Sequence, residues 1–233
     1  MSFASTNLKD ILPAFPRIAH WPHKPNVDAT DIIASNQQVK ALQRADVWIE
    51  EKIDGASVGM TMVAGEPVIR NRDHILRKGY MKDTAAKKQF RPIWNWWYEK
   101  RESFKMVTDA GPYSVYGEWC WAQHGIYYNK LPSFFIAYDI YDFEAKDWLA
   151  PDESRKLLKS AMFAVPPLLL HMNDFCYSAR TVEVYANSPS AYYDGKAEGV
   201  VVKSWTQRYK MVREDFVRGA LWDPDNIKKN KLG

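Results

Sequence analysis

The chain has 233 residues, 46% of them hydrophobic and 26% charged, with a formal net charge of +4. That balance excludes a disordered chain and allows one full core, while the mild positive charge permits a phosphate-rich partner without requiring one. No apolar run approaches the ~18 residues of a membrane span and the N-terminus has no signal-peptide pattern, so a soluble cytoplasmic protein without membrane contacts is expected.

Residues 1–27 carry Pro13, Pro16, Pro22 and Pro25 among apolar residues and read as an extended segment draped over the domain. The spacing of Ile32, Ile33, Val39 and Leu42 predicts a helix over 28–44, capped by Thr30 or Asp31. Trp48-Ile49-Glu50-Glu51-Lys52 alternates as a strand and runs into a Lys52-Ile53-Asp54-Gly55 turn. Residues 56–63 read as the returning strand, so Lys52 is expected at the end of a hairpin. A third strand over 68–72 follows, its exit rich in bases: Arg70, Arg72, His74, Arg77 and Lys78.

A long helix is predicted over 84–106, interrupted at Pro92, with Trp94, Trp96 and Trp97 as packing residues rather than a base platform. Strands are predicted over 113–121 and 134–141, and a helix over 152–162 with Asp152 as a possible cap. After the Pro166-Pro167 break come an apolar run at 168–170 and a helix over 179–186. Residues 197–205 and 208–213 form the last hairpin, and a polar tail follows. Cys120 and Cys176 lie far apart with no Cys or His at metal-ligand spacing, and both are expected to be reduced. With no repeat and no linker, residues 1–233 read as a single α+β domain.

Three features carry chemistry: Lys52 in Lys-Ile-Asp-Gly; Glu198 and Lys203 bounding the apolar run Gly199-Val-Val-Val202; and Arg208 with Lys210, alternate residues on one strand face. Each alone reads equally well as charge gathered where a strand end meets water. Together they point to a phosphate site.

In order, Lys52-x-Asp54-Gly55, Arg72, Glu118 in Tyr-Gly-Glu-Trp, Phe135 to Asp139, Glu198-Gly-Val-Val, Lys203 and Lys210 resemble the motifs of the covalent nucleotidyltransferases: DNA ligases, RNA ligases and capping enzymes. The starting Phe15-Pro-Arg-Ile, the Leu131-Pro-Ser-Phe-Phe run and the Arg208-Tyr-Lys-Met-Val ending look most like the Rnl2-type RNA ligase family. The resemblance implies an adenylyltransferase domain of antiparallel sheets flanked by helices, an ATP-grasp-like ligase core. It further implies a monomer that uses ATP with Mg²⁺ or Mn²⁺ and acts on nucleic acid, as RNA ends or a nicked duplex. A DNA nick-sealing ligase is the alternative, and a non-catalytic nucleic-acid-binding module with the same fold a more distant one. Ligases usually carry a further C-terminal OB or helical domain, and none is evident after the last motif.

The same resemblance assigns roles. Lys52 is the nucleophile that takes AMP from ATP, with Glu51 and Ile53 beside it in the nucleotide site. A free lysine near pKa ~10.4 is almost fully protonated at neutral pH, so burial and nearby cations must lower its pKa; Lys203 and Lys210 are the candidates. Arg72 matches the arginine that contacts the ribose and the 5′-phosphate, with Arg70 as second choice. Glu118 matches the ribose-binding glutamate, and Phe135, with Phe134 adjacent on the opposite face, the adenine-stacking aromatic. Glu198 matches the carboxylate that positions the lysine or holds the metal. Lys203 and Lys210 match the phosphate-binding lysines, one of which assists pyrophosphate departure. The closing motif, often Lys-x-Lys, reads Arg208-Tyr-Lys210.

Overall fold

Alternating apolar and polar residues give each strand two distinct faces, and in the computed structural model the strands pair into two sheets. Residues 7–22, 27–78, 88–176, 179–223 and 225–233 are described. The first sheet has the order β1 (Ala19–His20), β11 (Arg208–Val212), β10 (Gly199–Lys203), β2 (Val47–Lys52), β9 (Leu168–Met172). It is antiparallel except where β1 runs parallel to β11. The second, antiparallel throughout, has the order β5 (Ile75–Leu76), β4 (Glu66–Asn71), β3 (Ala56–Val63), β6 (Tyr113–Trp119), β7 (Phe135–Asp142), β8 (Asp147–Trp148).

One face of each sheet packs against helices. Val47, Ile49, Val200, Val202, Tyr209 and Met211 pack with Val182 of the helix Ala179–Ala186. Val58, Met60, Val115 and Ile140 pack under the helices Ile93–Glu99, Arg101–Ala110 and Pro151–Ser160. Trp96 and Trp97 are core residues of this second layer. Period-two geometry then turns Glu50, Lys52, Val201, Lys203 and Lys210 to the other side of the first sheet, where they line a cleft facing the second sheet.

Several expectations need correction. Lys52 does not sit on a hairpin: β2 pairs with β10 and β9, whereas β3 pairs with β4 and β6. The segment 53–55 instead crosses from one sheet to the other. The helix expected over 28–44 is only Asn36–Lys40, capped by Ser35 in a reciprocal box with Gln38. Before it come a turn at 28–31 and a stretch at 32–34 held extended by backbone pairing of His20 with Ile32 and Ala34. The helix expected over 84–106 is divided into Ile93–Glu99, with Pro92 at its N-cap, and Arg101–Ala110, and its expected first residues, 84–87, lie outside the described set. The polar tail is docked: the buried Asn230 amide donates to the carbonyls of Cys120 (2.9 Å) and Ala122 (3.1 Å), and its oxygen accepts from the Tyr128 N–H (2.9 Å). Both cysteines are free. Among the described residues, no helix is long and apolar enough to cross a membrane.

Candidate active site

The crossover at 53–55 is held from three directions. The Asp54 carboxylate accepts from the N–H groups of Gly125 (2.6 Å) and Ile126 (2.8 Å), and the Asp54 N–H donates to the Tyr128 hydroxyl (2.9 Å). A side chain at Gly55 would meet the Trp119 carbonyl oxygen at 2.7 Å, so only glycine fits the crossing. This fixes Lys52 at the seam between the sheets, partly buried, with its Nζ 2.7 Å from Glu198 Oε2. Gly199, next to Glu198, lies directly across from Lys52, and an added Cβ there would fall 2.0 Å from the Met211 oxygen.

Burial pulls the Lys52 pKa down, but Glu198, Glu118 and Asp54 outweigh it and hold the amine above its ordinary value. The expectation that cations lower this pKa is therefore not met. Lys203 is spent elsewhere: its Nζ donates to the Tyr138 oxygen (2.7 Å) and lies 2.8 Å from Glu50 and 3.4 Å from Asp139. Arg208, the departure from Lys-x-Lys, grips the same Asp139 with two bonds of 3.1 and 3.0 Å, and Arg155 holds Glu50 at 2.9 Å. Lys210 is the lysine that feels Lys52; burial, then that neighbouring charge, lowers its pKa.

The aromatic wall is a further correction. Phe135 is 0% exposed and packs against Trp96 and Phe163 in the core, so it cannot stack on a ligand; Phe134 packs edge-on against Trp119. The cleft is lined instead by Tyr138, with Phe15 edge-on to it at 5.0 Å. A β-bulge decides this. Gly117 pairs with Ala137 and Tyr116 with Asp139, which leaves Tyr138 as the extra residue. Core-facing parity therefore switches from Phe135 and Ala137 to Ile140, and the adjacent Tyr138 and Asp139 both line the cleft.

Arg72 is exposed at the rim of the same cleft. Arg70 is not in it: its guanidinium is buried and donates to the carbonyls of Leu12 (2.8 Å), Asn71 (3.0 Å) and Arg72 (3.1 Å). Glu51 and Ile53 border the cleft, but the Glu51 carboxylate is engaged by the Ser190 hydroxyl (2.5 Å) and the Ala191 N–H (3.0 Å). Sequence reasoning also missed Phe15, Ser57 and Glu50 as lining residues; only the position of Phe15 in the resemblance hinted at one of them.

The family model for RNA ligases matches residues 45–217, from β2 through β11. The chain belongs to the RNA ligase family. Among solved structures, a Naegleria gruberi RNA ligase mutant with ATP and Mn is similar at 18% identity and a TM-score of 0.56, over 76% of this chain and 52% of that one. Another mutant of the same ligase with ATP and Mn matches at 17% identity and a TM-score of 0.59, over 90% of this chain and 67% of that one. The same ligase with PPi matches at 18% and 0.56, over 90% and 67%. At these identities the likeness is one of fold, and the chain spans about half the length of the first of these ligases. Comparison with curated proteins gives no match.

In this RNA ligase family member, Glu118 faces Lys52 and Glu198 with no hydrogen bond to its carboxylate among the described residues; burial pushes its pKa up to about 8. The folded state therefore binds a proton that the unfolded chain, at 4.5, has lost. Stability from this group is full below about 4.5 and declines as pH rises towards about 8. Glu118→Gln is expected to flatten that decline in urea melts recorded across this range; an unchanged slope would place the titration elsewhere.

Proposed function

We propose that this chain is the adenylyltransferase unit of an ATP-dependent RNA ligase, with Lys52 as its nucleophile. The observation that supports it is the Lys52 amine at the seam of two sheets, 2.7 Å from Glu198, between an aromatic wall and Lys210. The choice of nucleotide follows the fold relatives, which were solved with ATP and Mn. The lone pair of Lys52 Nζ forms a bond to the α-phosphorus of ATP. The bond from that phosphorus to the bridging oxygen breaks, and pyrophosphate leaves with the electron pair. The ammonium must shed one proton before attack, which Glu198 is placed to accept, and a second on reaching the phosphoramide, which passes to solvent. AMP then passes to a 5′-phosphate end steered by Arg72, and a 3′-hydroxyl attacks that end, sealing the strand and releasing AMP.

Among the described residues, no three His, Cys, Asp or Glu side chains form a ready cation cage. Glu118 and Glu198, whose carboxyls burial pushes up in pKa, would hold a Mg²⁺ or Mn²⁺ ion. Such an ion, when bound, offsets charge developing on the phosphates.

Stacking on an aromatic is worth ~1–3 kcal/mol per base, so Tyr138→Ala is expected to raise the KM for ATP about tenfold in adduct-formation kinetics. An unmoved KM would remove Tyr138 from the base site. The reading as a whole is tested by incubation with α-labelled ATP, GTP or NAD⁺ and Mg²⁺. Label surviving denaturation, from ATP alone, is expected; none from any nucleotide refutes the proposal. Sealing assays on nicks with RNA or DNA at the 3′-hydroxyl side then decide the acceptor, and joining of all-DNA nicks only would exclude an RNA ligase.

A further inference from the structure

Lys210 also belongs to an ion cluster beside the cleft whose other members, Asp31, Arg218, Asp28 and His20, lie outside the motif set. Lys210, which lines the cleft, has its Nζ 3.4 Å from Asp31 Oδ1. Asp31 Oδ2 lies 2.9 Å from Arg218 Nη2, and Arg218 Nη1 reaches Asp28 at 2.6 Å. The His20 ring nitrogen Nε2 sits 3.2 Å from Asp31 and 3.1 Å from Arg218. His20 is directly across from Lys210 in the β1–β11 pairing, so this cluster is built on the edge of the sheet that carries Lys52. Asp31 also accepts from the Asp28 N–H at 2.9 Å. A single carboxylate, 14% exposed, thus bridges two cations, one of which faces the nucleophile.

The resemblance already gives Lys210 a phosphate-binding role; we propose that Arg218 joins it to complete a seat for the β- and γ-phosphates of ATP, and so for the leaving pyrophosphate, and that Asp31 is a stand-in anion which the phosphates displace. This rests on the reading of Lys52 as nucleophile. A phosphate offers the same kind of oxygen pair as the Asp31 carboxylate but carries more charge, and arginine is the side chain suited to gripping it with two N–H groups. The exposed Asp28 partner of Arg218 is held only by a surface ion pair, which costs little to open. His20 adds shape rather than charge here: burial, then Lys210, brings its pKa down to about 4. A departing pyrophosphate then leaves as Asp31 closes again on both cations.

The test is titration of the whole protein with inorganic pyrophosphate, by calorimetry and by pyrophosphate-driven release of AMP label. Arg218→Ala is expected to raise the pyrophosphate concentration for half-maximal binding and release about tenfold, with partial recovery in Arg218→Lys. Asp31→Asn is expected to lower it severalfold, because the competing anion is gone. A structural role alone would weaken binding in both. Wild-type pyrophosphate dependence in Arg218→Ala, or weaker binding in Asp31→Asn, overturns the proposal. Should Asp31→Asn not fold, Asp28→Asn frees Arg218 and is expected to shift binding the same way by less; an opposite shift overturns the proposal equally. If the wild-type protein takes no AMP label at all, the reading of Lys52 falls, and calorimetry with pyrophosphate still decides the seat.

Discussion

Lys52→Ala is expected to abolish covalent labelling by α-labelled ATP, by more than about a thousandfold, while the protein stays folded. The substitution removes the amine paired with Glu198, and Lys203 and Lys210 are not placed to replace it: the first is held by Glu50 and Asp139, the second by Asp31. The fold tolerates the change because the carboxylates that lose their partner, Glu198 and Glu118, already have raised pKa values and take up protons instead. Lys52→Arg sharpens the result. It keeps a cation beside Glu198 but one that does not deprotonate, so label is again expected to be absent. Denaturing gels report the label and thermal melts the fold; persistent label in either variant would assign the nucleophile elsewhere.

Asp139→Ala is expected to cost about 3 kcal/mol of stability, because it leaves the half-buried Arg208 without its carboxylate and strips the buried Lys203 of one of its two. Against a typical total of ~5–15 kcal/mol, that is a large share. Glu50 still holds Lys203, while Arg208 loses both of its bonds to Asp139. Asp139→Asn keeps the shape and one acceptor, and is expected to lose less. Urea melts measure both. A loss under about 1 kcal/mol in Asp139→Ala would mean that water reaches the network and screens it. The same network sets the position of Lys203, so adduct formation is expected to fall with it.

Local pattern made much of the chain legible. Arg208 and Lys210 share a strand face, as their spacing requires, and the helix over 179–186 lies where expected. Local pattern failed where a distant backbone intervened. The apolar spacing at 28–44 suggested one helix, yet pairing with His20 holds residues 32–34 extended. Strict alternation along β7 chose between Phe134 and Phe135, and neither is right for the cleft, because an unpaired residue at 138 reverses the parity.

By itself, the sequence determined the α+β class, most strands, and an ordered set of lysines and carboxylates around Lys52. Those follow from side-chain periodicity and residue chemistry, which act within a few positions. Tertiary structure alone decided that residues 53–55 cross between sheets, that Tyr138 walls the cleft, and that Lys203 is tied down while Lys210 faces the amine. Each of these depends on which backbone pairs with which, often across more than sixty positions as in Lys203 with Tyr138. No local window of sequence carries that information.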